Sequence, residues 1–318
     1  MTVLDEALPR VKLKPRRALP FFSRHPWVFA GAVAGTDRDI EPGGEVAVVS
    51  HEGEFVARGL FNPDSNIRVR LYAWQADTAL DGDFWSARLD EAIDLRRRLG
   101  FDNCRLVFSE GDGISGLTVD RYADWLLIQI TSRALYERRG LLVDLLQSKL
   151  SPRGIWLRTE KGIREAEGLA QADGLVAGEP PQPPIFVTEH GVRFGVDVVA
   201  GQKTGFYFDQ RDNRAALAAY VRGKRVLDLY CYTGGFGITA AKAGGAEHVL
   251  GVDSSPPAIA LASENARLNE VADRVRFQQG DVQKTLQQLS GAGERFDVVI
   301  ADPPKFARHR KGIEQALR

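Results

Sequence analysis

The stretch Val226-Leu227-Asp228-Leu229-Tyr230-Cys231-Tyr232-Thr233-Gly234-Gly235-Phe236-Gly237 decides the fold of this chain. Its first four residues are apolar apart from one acid and do not alternate, as in a parallel strand that is covered on both faces. The glycines that follow let the backbone turn sharply and approach a ligand closely before a helix begins near Gly237. The pattern predicts a strand, a turn and a helix that together bind a nucleotide-like ligand.

The acid in this stretch, Asp228, distinguishes between ligands of that kind. A dinucleotide-binding turn has the pattern G-x-G-x-x-G, which places a pyrophosphate on the N-terminus of a helix. That pattern is absent here, and a carboxylate at the end of the strand would repel a pyrophosphate. It suits a ligand that carries an ammonium and a sulfonium group. S-adenosylmethionine (SAM) is such a ligand.

Three more strands are predicted downstream, and an acid stands at the end of each. Asp253 ends the stretch 248–253 and could hold both ribose hydroxyls, and Asp281 follows 275–280 and could accept a hydrogen bond from the adenine amine. Asp302 follows the strand 296–301 and begins the sequence Asp-Pro-Pro. Ligands of open α/β sheets bind beyond the carboxyl ends of the strands, so the four ends predict one crevice.

This ordered set resembles the class I SAM-dependent methyltransferases. Two further stretches narrow the resemblance: Gly201-Gln202-Lys203-Thr204-Gly205-Phe206-Tyr207-Phe208-Asp209-Gln210-Arg211-Asp212-Asn213-Arg214 and Asp302-Pro303-Pro304-Lys305-Phe306. With them, the chain resembles the bacterial 23S rRNA 5-methylcytosine methyltransferase family that carries an N-terminal PUA domain. The resemblance covers essentially the whole chain.

The resemblance implies a cofactor, SAM, and roles for particular residues. The residues expected to hold SAM are Lys203, Phe206, Asp209, Arg211, Asp228, Tyr230, Thr233, Gly234, Gly235, Phe236, Asp253, Ser254 and Asp281. Asp302, Pro303 and Pro304 are expected to face the target cytosine, because their oxygens can accept from its amine and proline offers no competing N–H group. From the residues alone, Arg211 could equally be a charge in the first turn of a helix.

The resemblance also implies the chemistry. In the resembled family a cysteine thiolate adds to C6 of cytosine, C5 then attacks the methyl group of SAM, a base removes the C5 proton and the thiolate leaves. That cysteine is expected beyond Arg318, because the alternation of strands and helices stops there and we expect the C-terminal part of the sheet to be missing. We therefore expect these 318 residues to bind SAM weakly at most and not to methylate cytosine. Cys231 is expected to be a packed small side chain.

Composition excludes several classes of protein. The 42 Lys and Arg balance the 42 Asp and Glu, so any RNA-binding surface must be local. The two cysteines, Cys104 and Cys231, form neither a disulfide framework nor a metal-ligand cluster. We find no signal peptide and no apolar run near the roughly 20 residues that span a bilayer. These features predict a cytoplasmic protein with no metal and no membrane partner.

Three segments are predicted in a chain of overall α/β class. Residues 1–78 are rich in strands and turns and are expected to form a β-barrel, which by resemblance is a PUA-like RNA-binding domain. Residues 79–184 predict a central α+β subdomain that ends in the proline-rich linker 178–184. Residues 185–318 predict the methyltransferase domain, as an incomplete Rossmann-like sheet.

A cluster of basic residues lies in the first segment. Its members are Lys12, Lys14, Arg16, Arg17 and Arg24. We expect them to contact phosphates of the partner, 23S ribosomal RNA, because the cluster coincides with the RNA-binding module; a solvated basic arm is the alternative. Trp27 and Phe29 are expected in the core of the barrel. The sequence leaves a homodimer open.

Other functions stay open at this point. Asp-Pro-Pro also resembles the motif of methyltransferases that act on base nitrogens without a cysteine, which would make the product a methylated guanine in rRNA. A non-catalytic RNA-binding remnant is a second alternative, although the acids Asp228, Asp253 and Asp281 speak against it. An NAD-dependent dehydrogenase is disfavoured by the spacing of the glycines.

Overall fold

The computed structural model describes residues 8–159, 161–169, 173–199, 201 and 205–304. The chain divides into two compact units, Met1–Gln182 and Pro183–Arg318. Lys203 and Lys305, which the sequence singled out, lie outside the described residues. In the described part of the chain, no helix has both the length and the apolar character that crossing a membrane requires.

The first unit begins with a six-stranded sheet. Its strands are β1 (Arg10–Leu13), β2 (Trp27–Phe29), β3 (Val33–Thr36), β4 (Glu45–Val49), β5 (Phe55–Phe61) and β6 (Ile67–Ala73), and a short helix, α1 (Leu19–Phe22), precedes β2. The order of the strands is β2-β6-β5-β4-β1-β3. Valines and leucines such as Val11, Val48 and Leu71 fill the core of this sheet, which agrees with the predicted β-rich segment.

A second sheet follows in the same unit. Its helices are α2 (Gly82–Arg98), α3 (Arg133–Tyr136), α4 (Arg139–Leu150) and α5 (Lys161–Glu167), and its strands are β7 (Cys104–Phe108), β8 (Leu117–Tyr122), β9 (Trp125–Ile130), β10 (Gly154–Leu157) and β11 (Gly174–Gly178). Tyr72 of β6 packs edge-on against Trp85 of α2, with ring centroids 5.0 Å apart. Leu60, Tyr72 and Ala73 of the first sheet thus belong to the core of the second, and the predicted boundary at residue 78 falls within one compact unit.

The second unit contains the strand, turn and helix of residues 226–237. It contains the hairpin β12 (Ile185–Glu189) and β13 (Val192–Val196), followed by α6 (Arg211–Ala218), β14 (Arg225–Leu229), α7 (Gly235–Lys242), β15 (His248–Asp253), α8 (Pro256–Leu268), β16 (Val275–Gln279), α9 (Val282–Gly291) and β17 (Val298–Ala301). The parallel strands lie in the order β16-β15-β14-β17. The predicted alternation of strands and helices is confirmed.

The central position of β14 explains its sequence. It pairs with β15 on one side and with β17 on the other, and Val226, Leu227, Asp228 and Leu229 are all buried. Because the strands are parallel, Leu229, Asp253 and Ala301 end at the same edge of the sheet. That edge carries the candidate site.

Candidate cofactor-binding site

The turn after β14 has a backbone that only certain residues tolerate. Gly234 has a φ of +83°, and a Cβ built on it would lie 2.6 Å from Cζ of Phe277, so glycine is required there. Tyr230 and Tyr232 also adopt positive φ values, of 60° and 50°. Such strain in residues other than glycine is typical of functional sites, where the surrounding structure holds it in place.

A cavity of about 470 Å³ opens at this edge of the sheet. It lies where three parallel strands, β14, β15 and β17, end. The residues that line it are Phe206, Tyr207, Gln210, Arg214, Asp228, Tyr230, Cys231, Tyr232, Thr233, Gly235, Phe236, Asp253, Ser254, Asp302, Pro303 and Pro304. A cavity of this size with many aromatic side chains and a few charged groups is typical of a small-molecule site.

Most of the residues expected from the sequence meet in this cavity. They are Phe206, Asp228, Tyr230, Thr233, Gly235, Phe236, Asp253, Ser254, Asp302, Pro303 and Pro304. Gly234 does not line the cavity; it forms the turn at the N-cap of α7. The cavity thus brings together the ends of three of the four predicted strands. No residue at the end of the fourth strand, β16, is among the residues that line it.

Asp228 is the most strongly perturbed acid of the site. Its side chain is buried, and its Oδ2 accepts a hydrogen bond from the backbone N–H of Gly237 at 2.9 Å. Burial raises the pKa of Asp228 to about 7, and the nearby carboxylates of Asp253 and Asp302 act in the same direction, against the hydrogen bond from Gly237. A cation bound beside Asp228 would favour its ionised form.

Asp253 is held in place by two backbone groups. Its Oδ2 accepts from the N–H of Tyr232 at 3.0 Å, and its Oδ1 accepts from the N–H of Ser255 at 2.9 Å. Each carboxylate oxygen has two lone pairs, so the group can still accept hydrogen bonds from a pair of hydroxyls. Asp253 lies at the end of β15 and on the cavity wall, and its role towards a ribose stays a prediction.

Three predicted residues lie elsewhere. Asp281 is exposed and forms the N-cap of α9, where Oδ1 accepts from the N–H of Lys284 at 2.9 Å. Asp209 is exposed, and Arg211 is buried and donates to Glu189 at 3.3 Å. None of the three lines the cavity.

An arginine that the sequence analysis did not single out lies on the cavity wall. Arg214 is 2% exposed, and its Nε and Nη2 donate to the two carboxylate oxygens of Glu189 at 2.7 and 2.8 Å. Its guanidinium also lies 4.6 Å from the ring centroid of Phe206. The sequence held one signal for this residue: Arg214 follows Arg211 by three positions, which puts both on one face of a helix. It gave no sign that their partner would be Glu189.

Two asparagines, Asn265 of α8 and Asn269 immediately after its end, bond the backbone of the hairpin β12–β13. Asn265 accepts from the N–H of Gly195 at 2.7 Å and donates to the carbonyls of Gly195 and Thr233, both at 3.2 Å. One turn later, Asn269 exchanges hydrogen bonds with the backbone of Arg193 at 2.9 and 2.6 Å. Only Asn265 reaches the turn that forms the cavity, through the carbonyl of Thr233.

The two cysteines are both buried. Burial raises the pKa of the Cys231 thiol above its usual value, and the carboxylates of Asp228 and Asp253 raise it further. Because the thiolate is the nucleophile, a thiol with a raised pKa is a poor one. Cys104 belongs to the core of the first unit.

The predicted basic cluster lies on the surface of the first unit. Lys12, Lys14, Arg16, Arg17 and Arg24 are all exposed. Lys14 donates from Nζ to the carbonyl of Gly31 at 3.0 Å. Exposed cations on one short segment are available to phosphates, as the prediction requires.

Two family profiles match this chain. The profile of a PUA-like domain matches residues 11–74, and that of the S-adenosylmethionine-dependent methyltransferases matches residues 169–318. These matches confirm the predicted PUA-like domain, the Rossmann-like methyltransferase fold and SAM as the cofactor of the family.

Relatives with assigned functions match over almost the whole chain. A protein from Shewanella denitrificans called ribosomal RNA large subunit methyltransferase I is 41% identical over 315 residues, which are 97% of this chain and 79% of the relative. A protein of the same name from Klebsiella pneumoniae is 37% identical over 99% of this chain and 80% of its own length.

Solved structures share the fold. A candidate SAM-dependent methyltransferase from Streptococcus mutans superposes with a TM-score of 0.79 at 20% identity, covering 93% of this chain and 77% of the other. A candidate methyltransferase solved in complex with S-adenosylhomocysteine (SAH) gives 0.81 at 21% identity, over 95% of this chain and 78% of the other.

Proposed function

This chain belongs to the ribosomal RNA large subunit methyltransferase I family, and we propose that it serves to transfer the methyl group of SAM to C5 of a cytosine in 23S rRNA. The observation that carries the proposal is the cavity at the ends of β14, β15 and β17, with a carboxylate at each end: Asp228, Asp253 and Asp302. The relatives' name and the PUA-like domain support ribosomal RNA as the substrate.

The side chains of the cavity fit SAM group by group. SAM carries a cationic sulfonium and an ammonium, a carboxylate, a ribose with two hydroxyls and a planar adenine. Asp228 offers a negative charge to the cationic end, and Asp253 offers acceptors to the hydroxyls. The ring of Tyr230 offers apolar surface to the adenine. Phe206 and Phe236 lie 4.6 and 5.9 Å from the guanidinium of Arg214 and so flank the methionine end.

The methionine carboxylate of SAM needs a cationic partner in the cavity, and Arg214 is placed to be that partner. It lines the wall, and the Nη1 atom of its guanidinium lies 3.7 Å from the position of a Cβ on Gly235. Glu189 is shared by two guanidinium groups, those of Arg211 and Arg214, so this buried group of three carries a net positive charge. We propose Arg214 as the partner of the methionine carboxylate. Lys203, Asp209, Arg211 and Asp281 remain predictions for cofactor binding.

The residues proposed for the target base are at the mouth of the cavity. Asp302, Pro303 and Pro304 are exposed and line it. When bound, SAM supplies an electrophilic methyl group. The Asp302 carboxylate and the backbone carbonyls of the prolines would accept from the amine of a cytosine and hold its ring towards that group. A base must leave its stack to reach this position.

Methylation at C5 by the thiolate route needs a nucleophile that neither cysteine supplies. Cys231 is buried with a raised pKa, and Cys104 is buried in the core of the first unit. We therefore propose that the thiol comes from outside these 318 residues, and that the chain by itself does not methylate cytosine. A ribosomal substrate supports a cytoplasmic location, and a homodimer remains a proposal for the assembly.

A transfer assay tests this function. Protein-free 23S rRNA is incubated with SAM that is tritiated in its methyl group, together with either the 318-residue chain or the product of the complete gene, and the RNA is digested to nucleosides. We expect the label in 5-methylcytidine for the complete product and no label for the 318-residue chain.

Each other outcome identifies an alternative. Label in a methylated guanosine would contradict C5 chemistry and support methylation of a base nitrogen. No label with either protein, in a reaction where the Shewanella relative is active, would support a non-catalytic RNA-binding remnant. Robust transfer to cytosine by the 318 residues would contradict the proposed source of the thiol.

A further inference from the structure

Glu189 is a buried carboxylate that contacts the arginine proposed for the cofactor. It is the last residue of β12, is 6% exposed and does not line the cavity. Its two oxygens accept from Nε and Nη2 of Arg214 at 2.7 and 2.8 Å, and Oε2 also accepts from Nε of Arg211 at 3.3 Å. A role for this carboxylate does not follow from the proposed function.

The pair of Glu189 and Arg214 fixes the orientation of a guanidinium. Two parallel N–H···O bonds hold both groups in one geometry, which a single bond does not. These bonds occupy the edge of the guanidinium that Nε and Nη2 form. A guanidinium has five N–H donors, and Nη1 lies 3.7 Å from the position of a Cβ on Gly235, a residue of the cavity wall. A second carboxylate can therefore bind Arg214 from the cavity while Glu189 keeps its bonds.

The aromatic rings beside Arg214 do not supply this orientation. Phe206 and Phe236 have their ring centroids 4.6 and 5.9 Å from the guanidinium carbon. A ring attracts a cation over its face without selecting which N–H groups point in which direction. The two hydrogen bonds to Glu189 make that selection.

We propose that Glu189 is a positioning residue for Arg214: its carboxylate holds the guanidinium so that the N–H groups towards the cavity can pair with the methionine carboxylate of SAM. This inference rests on the proposed function, in which Arg214 is the partner of that carboxylate. It predicts that Glu189, without touching the cofactor, controls the preference of the site for a ligand that carries a carboxylate.

A simple counter-charge would have the opposite effect. Glu189 is paired with two guanidinium groups, so the buried group is already positive. If Glu189 only neutralised charge, its replacement by a neutral residue would make the cavity wall more positive and would strengthen the binding of a carboxylate. Loss of position and loss of charge therefore change the preference for SAM in opposite directions.

The test compares SAM with decarboxylated SAM, in which a hydrogen replaces the carboxylate while the amine and the sulfonium remain. Each ligand competes with radiolabelled SAM for the 318-residue chain in equilibrium dialysis, and the ratio of the two affinities is measured. Both ligands meet the same folded fraction of protein, so a loss of stability alone leaves the ratio unchanged. We expect the wild type to prefer SAM at least about tenfold.

Two substitutions separate position from charge. Glu189→Gln keeps the length of the side chain but replaces one acceptor oxygen by an NH₂ group, so the two parallel bonds are lost. Glu189→Asp keeps the charge but is shorter by one methylene, so its oxygens no longer reach both nitrogens of Arg214. We expect each substitution to reduce the preference for SAM about tenfold.

The matched control is Glu264→Gln. Glu264 also pairs with an arginine, Arg267 at 2.9 Å, but it is exposed and does not line the cavity. Its preference for SAM should stay within about twofold of the wild type. An unchanged preference in both Glu189 variants would overturn the inference and make that carboxylate only structural. A larger preference in Glu189→Gln, with a wild-type preference in Glu189→Asp, would overturn it in favour of a counter-charge.

The same data separate this inference from the proposed function. If Arg214→Gln abolishes the preference for SAM while both Glu189 variants keep it, only the positioning role is wrong. Equal binding of SAM and decarboxylated SAM by the wild type would contradict Arg214 as the partner of the carboxylate, and the inference with it. Methyl transfer to cytosine by the complete gene product is measured separately and does not depend on either result.

Discussion

Asp228 shows how a residue can serve binding at the expense of stability. Its carboxyl is buried at the end of β14 and receives one hydrogen bond, from Gly237, while two further acids, Asp253 and Asp302, line the same cavity. Burial therefore raises its pKa from 3.8 to about 7. A carboxylate whose ionised form burial disfavours is well suited to bind a cation, because the bound cation removes the penalty.

This perturbation predicts a particular dependence of stability on pH. Between about pH 4 and about pH 7, the folded chain keeps the Asp228 proton that the unfolded chain has released, so stability falls as pH rises through this window. Relative to Asp228→Asn, the free energy of unfolding of the wild-type chain should fall by about 1.4 kcal/mol per pH unit, or about 4 kcal/mol in total. Above about pH 7 the difference should stay constant.

Hydrogen exchange of the β14 amides measures this difference, after correction for the intrinsic pH dependence of exchange. Tryptophan fluorescence would not, because all five tryptophans precede Pro183 and so belong to the first unit. Parallel pH profiles for the wild type and Asp228→Asn would contradict the raised pKa.

At the scale of elements, α8 holds the turn after β14 in place through the side chain of Asn265. Asn265 bonds both backbone groups of Gly195 and also the carbonyl of Thr233. Asn269, one turn later, bonds Arg193 and the carbonyl of Asn265. Both side chains tie α8 to the hairpin, and only the first extends to the cavity.

We expect the two asparagines to differ in their effect on SAM. Asn265→Ala and Asn269→Ala should each lower the free energy of unfolding by about 2 to 4 kcal/mol, because each leaves buried backbone groups without a hydrogen-bond partner. Asn265→Ala should in addition weaken SAM binding about tenfold, since the turn loses its support, whereas Asn269→Ala should leave it within about twofold. Calorimetric titration with SAM at a temperature where both variants are folded measures the difference. Equal effects on SAM affinity would show that Asn265 is only structural.

The elements of the second unit could be predicted from the sequence because their signals are local. Unalternating apolar runs marked β14 and β15, and the glycines after Leu229 marked the turn.

In the first unit, helix α5 and strand β11 were missed, because residues 161–178 are rich in glycine and alanine and show no clear period. The pairing of Glu189 with Arg214 was missed for a different reason: it joins residues 25 positions apart, and no local pattern reports such a contact.

The sequence predicted those residues of the candidate site that stand at the ends of parallel strands, because such ends lie at one edge of the sheet. Asp228, Asp253 and Asp302 meet for that topological reason. Asp281 also follows a strand, but it caps α9 and does not line the cavity; an acid before a helix has the same sequence signature in either role. Phe29 was assigned to the core because it is apolar and lies in a strand, although its position in β2 leaves it exposed.

At the scale of the whole molecule, the two units carry separate chemistry. The residues that line the candidate cofactor cavity all come from the second unit, and another cavity, between α1 and β2 and lined by Trp27 and Phe29, lies within the first. The protein is a SAM-dependent methyltransferase by family, and its residues 11–74 match the profile of a PUA-like domain. The central claim is that SAM binds at the ends of β14, β15 and β17.

Equilibrium dialysis of radiolabelled SAM against the 318-residue chain tests this claim most directly, because it detects weak binding at millimolar concentrations. The account predicts one site per chain, an affinity at least about tenfold lower for Asp253→Ala, which loses acceptors for the ribose hydroxyls, and no change for Asp273→Ala, an exposed acid outside the cavity. Absence of binding at the highest concentration, or equal binding by all three proteins, would contradict it.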